Sequence, residues 1–196
     1  MNQRKFSIKR TTQETDISLD LDLDGNGIAD VDTGIGFLDH MFCSLAKHAN
    51  VNLTLRCKGD LEVDDHHTAE DCAIALGQAF DKALGDKKGI VRFGHAYAPL
   101  DEALARVVVD LSGRPFAHIS LTLDDGMIGN LKTENIAHVF ESFAMSARIT
   151  LHVDVLRGKN SHHKAEAAFK GLALALRTAV SLRSDSTVIP STKGVL

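Results

Sequence analysis

Apolar and polar residues alternate over residues 4–10 and 16–24, where Ile17, Leu19, Leu21 and Leu23 interleave with Ser18, Asp20, Asp22 and Asp24. A period of two predicts strands with one face toward a core. Residues 51–57, 93–98, 104–111 and 149–156 read the same way. Elsewhere the period is helical. Phe37, Leu38, Met41, Phe42 and Leu45 form one stripe behind Gly34 and Gly36. Ala69, Cys72, Ala73, Leu76, Ala79, Phe80 and Ala83 form a second, which stops at Gly85. Helices follow at about 132–145 and 161–181, the latter with Ala165, Phe169, Leu172, Ala173 and Leu176 inward. The predicted order is β-β-α-β-α, twice. One-faced sheets and amphipathic helices bury themselves best as a layered α+β fold.

The repetition reaches individual residues. His66-His67-Thr68-Ala69-Glu70 returns as His162-His163-Lys164-Ala165-Glu166 at an offset of 96 (162 − 66 = 96). The helix around His40 aligns with that around His138 at an offset of 98 (138 − 40 = 98), with Phe42 and Phe140 in register. The strand from Ile17 aligns with that from Ala105. A repeat this long marks a pseudo-symmetric pair of half-domains and is too long for a solenoid unit. The halves run over about 1–90 and 91–183, followed by a polar tail at 184–196. No low-complexity linker divides them, so a single domain with a shared core is expected.

Composition narrows the function. With 196 residues, 44% hydrophobic and 24% charged, the chain suits a soluble globular fold. A net charge of −4 offers no broad attraction for nucleic acid or an anionic membrane, and neither is expected as a partner. The N-terminus has no signal-peptide pattern, and no apolar run approaches the ~18 residues of a membrane span. Cys43, Cys57 and Cys72 are odd in number and form no Cys-x-x-Cys pair, which suits reduced core thiols in a cytoplasmic protein. Ten histidines in a chain without Trp call for an explanation.

On a helix, residues three or four apart share a face, so a His and the following Glu can chelate one ion. Adjacent histidines diverge by ~100° and suit two different ions. One copy of the motif alone reads equally as a polar first helical turn, and a lone His40 or His138 as a core histidine. Their recurrence in register favours ligation. Six His and two Glu, without thiolates, fit two sites of about three His and one Glu each. Such sites suit Mn²⁺, Fe²⁺, Co²⁺ or Zn²⁺, and an octahedral ion would keep two positions open for chemistry. Spacing does not say which four ligands share an ion. Asp20-Leu21-Asp22-Leu23-Asp24-Gly25 imitates the opening of a calcium loop, but Val31 stands where its bidentate Glu belongs. Arg92, Arg114, Lys170 and Lys193 are candidates for holding an anionic group. Taken singly, they and Glu14 read as surface charges.

Five blocks together resemble the imidazoleglycerol-phosphate dehydratase family: Gly36-Phe37-Leu38-Asp39-His40-Met41, Asp64-Asp65-His66-His67-Thr68-Ala69-Glu70-Asp71, Asp110-Leu111-Ser112-Gly113-Arg114-Pro115, Asn160-Ser161-His162-His163-Lys164-Ala165-Glu166 and Ile189-Pro190-Ser191-Thr192-Lys193-Gly194-Val195-Leu196. The resemblance implies two four-stranded sheets flanking a four-helix bundle, like the second domain of a ribosomal protein. It implies two Mn²⁺ ions per subunit at subunit interfaces, and a 24-subunit particle. His40, His66, His67, Glu70, His138, His162, His163 and Glu166 would be the metal ligands. Glu14, His66 and Glu166 would be catalytic, and Glu14, His48, Arg92, Arg114, Lys170, Ser191 and Lys193 would hold the substrate and its phosphate. The implied reaction is dehydration of D-erythro-imidazole-glycerol phosphate to imidazole acetol phosphate in histidine biosynthesis, by a monofunctional chain. A metal-bound imidazolate would drive loss of the hydroxyl, with a carboxylate as acid/base. A dinuclear metallohydrolase and a non-catalytic metal-binding shell protein are the alternatives.

Overall fold

Alternation at Ile17, Leu19 and Leu21 buries one face of a strand and leaves Ser18 and Asp20 exposed on the other. That strand, β2 (Thr15–Asp22), forms a hairpin with β1 (Lys5–Thr11). The computed structural model describes residues 4–183, 188–194 and 196. After the hairpin come β3 (Ala29–Asp32), α1 (Gly36–Ala49), β4 (Asn52–Gly59) and α2 (His66–Leu84). The second half runs β5 (Phe93–Leu100), β6 (Ala103–Asp110), β7 (Phe116–Ser120), a small hairpin β8 (Met127–Ile128) and β9 (Leu131–Lys132), α3 (Thr133–Ser146), β10 (Thr150–Arg157) and α4 (Ser161–Val180). The sheets have the orders β1-β2-β4-β3 and β5-β6-β10-β7, with β3 and β7 parallel to their neighbours and the other pairs antiparallel.

The repeating unit is therefore β-β-β-α-β-α, one strand longer than the alternation predicted. The additional strands, β3 and β7, lie at sheet edges and have four and five residues. Runs that short show no period. With them, both sheets reach the four strands that the resemblance implied. The offset between halves is 88 at the hairpins (105 − 17 = 88) and 98 at β4 and β10 (150 − 52 = 98). The ten extra residues enter between β7 and α3, where the β8–β9 hairpin stands.

Helices α1 and α2 cover the first sheet, and α3 and α4 the second. Across the middle they pair between halves, α1 with α4 and α2 with α3. Phe42 of α1, Phe140 of α3 and Phe169 of α4 meet there, all buried, with ring centroids 6.5 and 4.5 Å apart. One hydrophobic core runs through both halves. Gly77 marks a close approach of α2 to α3: a Cβ on it would lie 2.7 Å from the Phe143 carbonyl oxygen and 2.8 Å from the Ala147 nitrogen. Cys72 is buried, Cys43 and Cys57 half-buried, and all three are free thiols. The Asp20, Asp22 and Asp24 carboxylates face Ser7, Lys5 and Arg4, as a strand with one wet face requires. Among the described residues no helix is long and apolar enough to cross a membrane. The described part of the tail forms turns and no regular element, and residues 184–187 and 195 lie outside the described residues.

Candidate metal centres

Both His-His-x-x-Glu motifs occupy the first turn of a helix. Asn160 caps α4, its side chain accepting from the His162 and His163 main-chain N–H groups. Asp64 accepts from the His66 N–H at 2.9 Å. The turns after these caps carry Glu70 and Glu166 back over His66 and His162, one residue of each pair. Cross-half helix pairing supplies a third group. His138 comes from α3 to the His66–Glu70 face, and His40 from α1 to the His162–Glu166 face.

In the first triad, His138 Nε2 lies 3.1 Å and His66 Nε2 3.7 Å from the Glu70 carboxylate, with the two rings stacked 4.9 Å apart. In the second, His162 Nε2 lies 3.1 Å and His40 Nε2 3.5 Å from Glu166. Donor atoms within each triad all lie inside 4.8 Å of one another. Two ligands each ~2.1 Å from a divalent ion are at most ~4.2 Å apart, so little closure is needed to seat one. The donor set fits an ion in other respects too. His66 Nδ1 donates to Asn135 Oδ1 at 2.9 Å, which leaves the Nε2 lone pair toward Glu70. His138 Nε2 is buried with no hydrogen-bond partner. Each triad holds two imidazoles and one carboxylate, and the two triads share no residue. A water-bridged pair of ions at ~3.5–4 Å, as a dinuclear hydrolase needs, finds no residue common to both triads among the described residues.

Charge separates the triads. Lys170, one turn beyond Glu166, bonds its Oε1 at 2.7 Å. Burial acts to raise the Glu166 carboxyl, but the Lys170 hydrogen bond and charge, helped by His162, hold it below the ordinary range. Desolvation, followed by the Lys170 charge, pushes the His48 imidazole below its ordinary value. Lys170 and His48 thus both lie beside the α1–α4 triad. At the positions matching Lys170 and His48, the α2–α3 pair carries Ile74 and Ser146.

The second histidine of each pair stays outside its own chain's triads. His67 Nδ1 binds Asp60 at 3.0 Å, and its Nε2 lies 3.6 Å from the half-exposed Glu14. The Asp60 hydrogen bond, with Glu14 adding charge, raises the His67 imidazole. His163 Nδ1 binds Glu102 at 2.7 Å, and this bond raises its imidazole in turn.

Arg92, Arg114, Ser191 and Lys193 gather at the opposite end of the molecule. Arg92 pairs with Asp110 at 2.7 Å, donates to the Pro190 carbonyl at 2.8 Å, and takes the Ala179 carbonyl at its own N–H. Arg114 lies in the turn after β6, where Ser112 Oγ accepts from its main-chain N–H. Ser191 Oγ accepts from the Lys193 N–H. Ala179 is 13 residues along α4 from Glu166 (179 − 166 = 13), about 20 Å on a helix axis. Within one chain, then, Lys170 and His48 accompany a triad, Glu14 faces His67, and the remaining candidate anion holders stand apart from both triads. Asn135, Asp60 and Glu102 escaped the sequence reading. Asn135 and Asp60 gave no signal, but Glu102 stands 88 residues after Glu14, the offset of the duplicated hairpins.

Comparison with known proteins gives one family. The imidazoleglycerol-phosphate dehydratase family model matches residues 33–176. The imidazoleglycerol-phosphate dehydratase of Salinibacter ruber is 57% identical over 193 residues, spanning 98% of this chain and 96% of its own. The crystal structure of the Staphylococcus aureus dehydratase superposes with a TM-score of 0.83 at 36% identity, over 91% of this chain and 99% of that one. The Pyrococcus furiosus enzyme, solved in complex with (S)-C348, gives 0.83 at 36% identity over 96% and 100%.

Proposed function

The chain belongs to the imidazoleglycerol-phosphate dehydratase family, and from that premise we propose how this hydro-lyase of histidine biosynthesis acts. The substrate is D-erythro-imidazole-glycerol phosphate and the product imidazole acetol phosphate, in the cytoplasm. The observation that carries the reading is the pair of His₂Glu triads, each assembled across the duplication. His40, His162 and Glu166 would hold one ion, and His66, Glu70 and His138 the other, with Mn²⁺ the metal favoured by the resemblance. His67 and His163, directed away from their own triads, would complete ions on neighbouring subunits, giving three His and one Glu at each.

When bound, the ions supply Lewis acidity and a template that favour the imidazolate form of the substrate ring. The chain's own groups do the rest. Glu14, its half-exposed carboxylate 3.6 Å from His67 Nε2, would take the carbon-bound proton. His66 and Glu166 work as ligands that fix the ring against that carboxylate. Lys170 neutralises Glu166, and with His48, whose imidazole feels both charges, it would serve the α1–α4 triad. Arg92, Arg114, Ser191 and Lys193 clamp the phosphate and so hold the side chain in a reactive orientation.

About 20 Å of α4 separates that clamp from the α1–α4 triad, far beyond the reach of one three-carbon phosphate ester. A complete site would therefore draw its parts from several subunits, which supports self-association, with 24 subunits as the number the family resemblance implies. The sheet faces agree with self-association. The outer face of the first sheet is polar, with Lys5, Lys9, Ser18 and Asp20 exposed, whereas the second exposes Phe93, Tyr97, Val108 and Phe116. An apolar face of that kind is suited to contact with another copy.

The test is a dehydration assay on the phosphorylated substrate, with elemental analysis of protein purified without chelators. About two transition ions per chain and turnover are expected. Glu14→Gln should keep both ions and the particle but lose turnover by ~10²–10⁴-fold. Unimpaired turnover in that variant removes Glu14 from the mechanism, and protein that neither contains nor responds to a transition metal removes the triads.

A further inference from the structure

The duplicated hairpins are in identical register: Lys5 faces Asp22 in the first and Phe93 faces Asp110 in the second, each displaced by 88. Glu14 and Glu102 therefore occupy the same place in the same turn. They are used differently. Glu102 Oε1 accepts from the main-chain N–H groups of Lys159 and Asn160 at 3.0 and 2.8 Å, and its Oε2 accepts from His163 Nδ1. Glu14 has His67 Nε2 at 3.6 Å, and what the following loop takes from it is its main-chain oxygen, bonded by the Asp60 N–H.

The loops that precede α2 and α4 account for the difference. A Cβ on Gly59 would collide with Thr68, and a Cβ on Gly158 with Lys164, at 1.9 and 2.9 Å. Thr68 and Lys164 are 96 apart, like the histidine pairs, so Gly59 and Gly158 are counterparts. The next residue is Asp60 in one half and Lys159 in the other. Asp60 supplies a carboxylate to His67 Nδ1, leaving the hairpin glutamate uncommitted. Lys159 has no acceptor in its side chain, and the hairpin glutamate takes over that task.

We propose that Asp60 and Glu102 are positioning residues, each fixing one histidine of a His-His pair with its Nε2 free to ligate an ion. The two halves meet the same need from different loops, which leaves Glu14 uncommitted at 3.6 Å from His67 Nε2, while in the second hairpin Asp101, 3.8 Å from His163 Nε2, stands in that position. A carboxylate at Nδ1 fixes the ring's orientation and tautomer and raises its basicity as a ligand; losing such a partner typically weakens metal binding 10–100-fold. The inference rests on His67 and His163 being metal ligands, and its experiment separates the two failures.

Mn²⁺ affinity of the metal-stripped full chain, and of its Glu102→Gln, Asp60→Asn and Glu14→Gln variants, is measured by competition with a fluorescent chelator. Glu102→Gln should weaken one ion per chain by ~10–100-fold and leave the other, Asp60→Asn should weaken the complementary ion, and Glu14→Gln should change neither. Far-UV circular dichroism of each metal-free variant should match the parent. Asp60 bonds no main-chain N–H through its side chain among the described contacts, so its variant carries the test if Glu102→Gln fails to fold. Parental affinity at both sites in Glu102→Gln or Asp60→Asn overturns the assignment, as does equal weakening of both ions by one substitution. A parent chain that binds no Mn²⁺ overturns instead the metal reading on which the assignment stands.

Discussion

An imidazole ligates through the nitrogen that lacks a proton, so the hydrogen bond at the other nitrogen selects which it is. Asn135 does this for His66, Asp60 for His67 and Glu102 for His163. Glu102 is held at about 2, first by the Asn160 N–H, then by His163 and the Lys159 N–H, while the Glu102 hydrogen bond raises His163. A depressed carboxyl contributes stability above its ordinary 4.5 that is lost as pH falls toward about 2. A raised imidazole contributes fully below its ordinary 6.5 and loses that contribution as pH climbs through its folded value. Metal-free parent protein should therefore exceed Glu102→Gln in thermal stability most between pH 4.5 and 6.5, with the gap narrowing on either side. A gap that grows steadily into acid contradicts these shifts. The histidines and glutamates of the two candidate triads were legible in the sequence because two copies stood in register. Their orienting partners were not, since Asn135 reaches His66 across 69 residues and only folding joins them.

At the scale of elements, helices announced themselves through long apolar stripes, and α1, α2, α3 and α4 fall within a few residues of the predicted spans. The edge strands β3 and β7 did not, because four or five residues hold too few alternations and their parallel pairing is non-local. Which helix faces which was equally hidden, and it decides which histidines and glutamates come together in each candidate triad. Gly77 permits α2 and α3 to approach until backbones meet. Gly77→Ala should cost about 1–3 kcal/mol by overpacking. It should also loosen the His66–Glu70–His138 triad while sparing the other, read as a lower melting temperature and loss of one ion per chain. Retention of both ions at parental affinity would show that this helix contact does not set the triad. Removing the α4 cap by Asn160→Ala should cost about 1 kcal/mol, measured by urea unfolding of the metal-free chain.

For the whole molecule, the ~20 Å of α4 between Glu166 and the Arg92 cluster would, on the proposed function, make assembly a requirement for turnover. Chelation, or acid mild enough only to protonate imidazoles, should dissociate the particle and abolish activity together. Light scattering that finds an intact particle after complete metal removal would disprove metal-linked assembly. Mixing offers a second check. Particles reassembled from Glu14→Gln and Arg92→Ala chains, each inactive alone, should recover about a quarter of parental activity if one site draws Glu14 and Arg92 from different subunits at random. No recovery would place both residues of a site on one chain.

The crossed pairing of α1 with α4 and α2 with α3 also bears on ancestry. A solitary half of this chain would carry its histidines and glutamate on helices whose natural partners are missing, and could not close either triad. An ancestral unit of one half could hold an ion in this way only as a homodimer, and duplication with fusion of its gene would make that contact permanent. Coexpressed fragments 1–87 and 88–196 should accordingly copurify with metal, and neither should retain it when produced alone.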